Sequence, residues 1–255
     1  LAENNGIVYV AGNFSTEKIH NVMSITDGNA TAMPGGGLNS EVLAMTAFND
    51  VLYVGGLFTD ASDGAADGLN HVASYSLSSN KWLPLGGGLN GQVNTIYPIK
   101  LNVSSGINET TIAVSGNFDQ IRATSDHPAI FVAGFAIWVP SKKAWLQSLN
   151  DTQMEFAGQV SAVTTVNEPA ILAGSLATDG ISASGAVSLQ NPNDLTLVPL
   201  SMNTDHTSSS VGIITGVYDT ESSRNLTIVG GQFTALSSNG SAIHNVAFLN
   251  GTQEK

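Results

Sequence analysis

The fold class this chain predicts is an all-β propeller of kelch-like four-stranded blades, about four to five of them, and three observations predict it. An apolar run meeting a small-residue pair and an aromatic anchor recurs four times: IVYVAGNF at 7–14, LYVGGLF at 52–58, IAVSGNF at 112–118 and LTIVGGQF at 226–233. A degenerate copy, ILAGSL at 171–176, fills the one wide gap between them. The spacing is roughly 45 to 60 residues, the range of kelch-like units rather than leucine-rich or tetratricopeptide ones. The other elements of each repeat keep a constant order, and no stretch has helical periodicity.

The element order within a repeat justifies the strands one by one. The runs ahead of the glycine pairs, such as Val51 to Val54, lack clean alternation, as expected of strands covered on both faces. After the glycine pair comes a polar loop, then a third strand: VMSI at 22–25, VASY at 72–75, FAIW at 135–138, AVSL at 186–189 and VAFL at 246–249. A short fourth strand carries Trp82 in one copy and Trp145 in another, each seven positions after its aromatic partner, Tyr75 or Trp138. A turn closes the repeat, as GLN at 37–39 and 88–90, SLN at 148–150 and SMN at 201–203. The next apolar run, at Val42 to Phe48, Val93 to Ile99, Val160 to Val166 and Val211 to Tyr218, is expected to be the innermost strand of the following blade. The approximate blades are 1–40 (partial), 41–90, 91–150, 158–203 and 210–255 (partial), all in one propeller region. In this register the chain starts inside a second strand and stops after a third, which is the expectation for a stretch of a longer array.

Composition narrows the setting. Charged residues are 11% of the chain, yet acids outnumber bases 20 to 8 for a net charge of −12. That balance excludes a nucleic-acid surface, which needs clustered Lys and Arg. The one basic pair, Lys142-Lys143, falls at a turn between strands. No stretch is long and apolar enough to span a membrane, and the chain opens without a signal peptide. There is no cysteine, and a domain of this length buries an adequate core without disulfides. Asn13, Asn29, Asn102, Asn108, Asn150, Asn225, Asn239 and Asn250 each begin an Asn-x-Ser/Thr acceptor. This is about twice the number chance gives in such a composition, and it favours an extracellular or luminal location with N-glycans attached.

Motifs for chemistry resolve into structural roles. Gly86 to Gly91 satisfies the dinucleotide pattern, but a strand rather than a helix follows it, so it is a repeat turn. His20, His71 and His244 are expected at equivalent places before the third strand, beside Asn21, Asn70 and Asn245, where they would be held apart rather than converge on a metal. His127 and His206 sit in polar loops without a nucleophile in recognisable context. The loop containing Asp60, Asp63 and Asp67 offers calcium-type oxygens but not EF-hand spacing, and its capacity for calcium stays open. No paired carboxylates of the glycosidase kind are visible, and a radical-copper oxidase would need the cysteine this chain lacks. The expectation is no catalytic, cofactor-binding or metal residue, and no cofactor.

The combination of Tyr-Val-Gly-Gly-x-Phe at Tyr53 to Phe58, a His/Asn-Val-Ala run, a Trp strand and Leu-Gly-Gly-Gly-Leu-Asn-Gly-x-Val at Leu85 to Val93 resembles the fungal cortical marker proteins of bipolar bud-site selection. The resemblance spans nearly the whole chain and is strongest over about residues 1 to 120. It implies a large glycosylated single-pass membrane protein with an extracellular propeller region, acting at the bud neck or cell cortex as a landmark for polarised growth. It also implies a non-enzymatic module whose partners are other cortical landmark membrane proteins or cell-wall components, reaching the membrane only through a segment outside this chain. Two other classes stay open. One is a glycan- or small-ligand-binding propeller, marked by aromatic residues in repeat-equivalent loops; the other is a propeller hydrolase or oxidase, which would need a convergent acid/base group.

Overall fold

A computed structural model describes residues 1–104, 107–149, 156–164, 171–178, 186–191, 196–199, 213–219, 226–236 and 241–250. Strands assemble into antiparallel sheets strictly in chain order. The first sheet is β1 (Ala2–Asn4), β2 (Ile7–Ser15), β3 (His20–Thr26) and β4 (Asn29–Ala32); the second is β5 (Val42–Phe48), β6 (Val51–Gly56), β7 (Val72–Ser76) and β8 (Lys81–Pro84). In the third, β9 (Gln92–Ser104) and β10 (Ile107–Asn117) precede a small hairpin of β11 (Gln120–Ile121) and β12 (Ile130–Phe131), and β13 (Phe135–Val139) and β14 (Ala144–Trp145) complete the sheet. One turn of helix, α1 (Leu146–Leu149), follows where the sequence suggests only a turn. The fourth sheet is β15 (Phe156–Thr164), β16 (Ile171–Thr178), β17 (Ala186–Asn191) and β18 (Thr196–Pro199), and the fifth is β19 (Ile213–Asp219), β20 (Leu226–Leu236) and β21 (Ala242–Asn250). The chain is therefore all-β, a series of antiparallel sheets of four strands or, in the last, three. It divides into two compact units, Leu1–Pro98 with Thr110–Thr152, and Ile99–Glu109 with Gln153–Lys255.

Two expectations of register need correction. The first sheet has four strands, because Ala2–Asn4 pairs with Ile7–Tyr9; three polar-flanked residues carry no hydrophobic period, so this strand is invisible to pattern. Its signal is the turn. Asn5 and Gly6 lie between the paired Asn4 and Ile7, both with positive φ (52° and 80°), the geometry of a two-residue type I′ hairpin. Asp27-Gly28 and Asn49-Asp50 make the same turn between Thr26 and Asn29 and between Phe48 and Val51. In the fifth sheet Ile214, not Val211, is the counterpart of Val42 and Val160, since each of the three faces the second glycine of its pair or its equivalent: Gly231, Gly56 and Gly174.

That facing position is a bulge. The register slips by one residue between Val42 and Ala44, between Val160 and Ala162, and between Ile214 and Gly216. Glycine is required opposite the bulge of the second sheet, where a Cβ on Gly56 would stand 2.1 Å from the Glu41 carbonyl; Gly116 of the third sheet is equally confined, its Cβ falling 2.1 Å from the Gln92 carbonyl.

In the first unit the three sheets pack face to face. Strand β6 shows how a run without alternation in polarity still alternates in space. Leu52 and Val54 join Tyr9, Val22, Met33 and Leu38 of the first sheet in one core, whereas Tyr53 joins Val93, Ile96, Ile112, Val114 and Phe118 of the third sheet in another. Phe58 and Phe118, the anchors after the glycine pairs, are both buried; the side chain of Phe233 lies outside the description, and Phe14 is only half-buried.

Candidate functional site

The seams between successive sheets of the first unit carry the most regular side-chain chemistry. Asn39, at the end of the first sheet's closing turn, reaches across to the loop after Phe58. Its Oδ1 accepts the backbone N–H of Thr59 at 2.9 Å and of Asp60 at 3.3 Å, and its Nδ2 donates to the Thr59 hydroxyl at 3.0 Å. Asn90 repeats the act one sheet later, accepting Asp119 N–H at 3.1 Å and Gln120 N–H at 3.0 Å and donating to the Asp119 carboxylate. Backbone pairing brackets each clamp: Asn39 N–H donates to Asp60 O and Ser62 N–H to Gly37 O, as Asn90 N–H donates to Gln120 O and Arg122 N–H to Gly88 O.

A second latch uses the tryptophans. The Trp82 indole donates to Pro34 O at 3.0 Å and the Trp145 indole to Leu85 O at 3.0 Å, in each case the residue before the triple-glycine turn of the preceding sheet. The spacing of seven is explained by pairing: Tyr75 faces Trp82 and Trp138 faces Trp145 across their ladders, with ring centroids 5.0 and 5.4 Å apart. The Gly86-Gly87-Gly88 motif is thus a receiving turn followed by strand β9. Gly88 needs its φ of +73°, and a Cβ there would press on Asn70.

The histidines are not equivalent in the way their sequence neighbours suggest. The left-handed residue immediately before the third strand's apolar run is Asn21, His71, Gly134 and Asn245, so His71 matches Asn21 and Asn245, while His20 and His244 match Asn70. The His-Asn order is inverted in the second copy, which misleads a reading by residue type. Burial holds the His71 imidazole below its usual pKa, the Arg122 charge adds to this, the Gly56 backbone partly opposes it, and Nδ1 is buried without a partner. His20 Nδ1 lies 2.8 Å from the Ser15 hydroxyl, and His127 is in an exposed loop. His206 is outside the described residues.

Asp60 and Asp63 spend oxygens within their own loop. Asp60 accepts Gly68 N–H at 2.8 Å and the Thr59 hydroxyl at 2.6 Å, and Asp63 accepts Ala65 N–H at 2.8 Å. Among the described residues no three His, Asp or Glu side chains converge as a metal site would require. Of the acceptor asparagines, Asn13 and Asn29 are exposed on the first sheet, Asn13 within a bulge of β2 and Asn29 at the β3–β4 turn. Asn102, Asn108 and Asn250 lie on strands with side chains outside the description, and Asn150, Asn225 and Asn239 lie outside the described residues.

The first two sheets also leave an open cleft of about 590 Å³. Tyr9 and Tyr75 are in its wall, with Asn4, Asn5, Ser24, Thr31, Asp50 and Asn80 around them. Sequence reading misses it, because its residues come from four separate hairpin ends with no shared motif.

These features define an all-β module in whose first unit successive sheets are joined by Asn and Trp latches. No family model matches the chain. It is 33% identical over 268 residues to the polarized growth protein L1 of a Phoma species, covering 96% of this chain and 20% of that protein. It is also 33% identical over 182 residues to the polarized growth protein rax2 of Schizosaccharomyces pombe, covering 65% of this chain and 16% of that protein. A solved structure, that of the computationally designed Ika8 protein, superposes with a TM-score of 0.49 at 12% identity, covering 97% of this chain and 64% of that one. The chain belongs with the fungal polarized growth proteins, the cortical polarity markers, and spans a fifth or less of the length of the two relatives described.

Proposed function

We propose that this chain is an extracytoplasmic β-propeller module of a cell-surface cortical marker, serving bud-site selection and polarised growth by scaffolding rather than catalysis. The observation that carries the reading is homology over 96% of the chain to a polarized growth protein. The series of antiparallel sheets, each latched to the one before it in the first unit, supports the propeller geometry. Such joining suits a part that must persist as a landmark, since in the first unit the second and third sheets are each fixed to the one before by side-chain and backbone bonds together. Its partners are other landmark membrane proteins or wall components, met through its surface, and a segment outside this chain provides the membrane anchor.

The test is removal of the segment corresponding to residues 1–255 from the parent protein, followed by scoring the positions of new buds or branches. Displaced growth sites, with normal amounts of the shortened protein at the membrane, are the expected result. Normal positions at normal protein levels would overturn the role for this region.

A further inference from the structure

The cleft between the first and second sheets is built for hydroxyl groups. Its two deep aromatic residues differ in one respect. The Tyr75 hydroxyl donates to Asn80 Oδ1 at 3.0 Å. The Tyr9 ring is buried and lines the cleft, while its hydroxyl, which makes no hydrogen bond among the described residues, stays open to it. A phenol oxygen that opens on the cleft with no intramolecular partner is free to donate to and accept from a ligand there. At the rim, Asp50 is held by two amides: Asn4 Nδ2 donates to its Oδ1 at 3.2 Å and Asn5 Nδ2 at 3.5 Å, which leaves Oδ2 without a contact from either. Positive φ at Asn5 and Asp50 fixes both hairpin tips, so this carboxylate is positioned by backbone as well as by its neighbours.

The lining has a definite chemical bias. Asparagine amides, serine and threonine hydroxyls and the Tyr9 hydroxyl both donate and accept, and the Asp50 carboxylate accepts; Ile7, Ala32, Met33 and Leu77 add apolar surface between them. No Lys, Arg or His lines it, and the chain carries a net charge of −12, so anionic ligands are repelled. A volume of about 590 Å³ lies within the ~300–1,000 Å³ typical of ligand pockets. Vicinal hydroxyls on a ring with apolar faces match this surface: paired hydroxyls meet amide and carboxylate, and C–H faces meet the tyrosine rings and aliphatic patches.

From this we infer that the cleft between the first two sheets is a binding site for a neutral oligosaccharide, with the Tyr9 hydroxyl and the Asp50 carboxylate as its two principal polar contacts.

The experiment uses the 255-residue chain made without glycans, titrated by calorimetry and by ligand-observed NMR with hexamers of glucose, of N-acetylglucosamine and of mannose, and with a sialylated oligosaccharide as the charged arm. Saturable binding of at least one neutral hexamer and none of the charged one is expected. Tyr9→Phe keeps the ring and removes only the hydroxyl, and should weaken that binding about five- to tenfold. Asp50→Asn removes the charge at unchanged size and should weaken it about tenfold or more. Both variants should melt with the parent, which separates loss of a contact from loss of the fold. No saturable binding of any neutral hexamer, preference for the charged one, or binding indifferent to both substitutions would overturn the assignment. None of these results bears on the bud-position test, so failure here leaves the scaffold reading to stand or fall by itself.

Discussion

At the scale of single residues, Asn39 and Asn90 each bond two consecutive backbone N–H groups of the next sheet's loop, as a capping side chain does at a helix end. Both are exposed, so removing one leaves donors that water partly rescues. Asn90→Ala is expected to lower stability by about 1 to 2 kcal/mol, read from the shift of the urea midpoint followed by tryptophan fluorescence. His71 gives a pH-dependent counterpart. Its folded pKa is held below the unfolded value of 6.5 by burial first and Arg122 second. Above that value the imidazole is neutral in both states; as pH falls through it, the unfolded chain binds a proton that the folded chain resists, so stability is lost. His71→Asn places there the residue that Asn21 and Asn245 already supply at the same left-handed position. Melting temperatures at about pH 7.5 and about pH 5.5 should therefore fall less in this variant than in the parent. Equal falls would show that His71 is not the group responsible.

At the scale of the element, the bulge opposite Gly56 and the turn that receives each tryptophan set the sheet's shape. Gly56→Ala drives a methyl against the Glu41 carbonyl and is expected to cost about 2 to 3 kcal/mol, whereas Gly12→Ala meets nothing closer than the Phe14 ring at 3.8 Å and should be neutral or slightly stabilising. Paired denaturant melts of the two variants check the contrast. Most of this element pattern was legible in sequence, because it rests on local signals: glycine pairs where backbones crowd, apolar runs, and the Tyr75–Trp82 and Trp138–Trp145 spacing fixed by cross-strand pairing. What was not legible depends on long-range or short, polar pairing. Ala2–Asn4 is a strand only because Asn5-Gly6 turns it back onto β2. Asn39 reads as a turn residue, and nothing near it in sequence says that its partners are Thr59 and Asp60. The β11–β12 hairpin, two residues a side, is likewise below the resolution of any periodicity. The cleft is the extreme case, since Tyr9 and Asp50 meet only after two sheets have packed.

At the scale of the whole molecule, location decides between readings that the fold alone leaves equal. A chain with a charge of −12, no cysteine and eight acceptor sequences suits a secreted surface, and homology to polarized growth proteins suits a cortical one, but either property alone is compatible with other lives. Attached glycans join the two, because transfer happens only in the secretory route. Asn13 and Asn29 are the acceptors to watch, since both are exposed and neither amide bonds across a seam; the one contact of Asn29 is a bond of 3.4 Å from its Nδ2 to the Asp27 carbonyl. Asn39 and Asn90, whose amides are committed to the clamps, lack the acceptor sequence, so a glycan does not compete with the latch at either position. In protein taken from its native host, peptide mass spectrometry before and after glycosidase treatment should find Asn13 and Asn29 modified. Both sites found bare would argue against the secretory route proposed for this module.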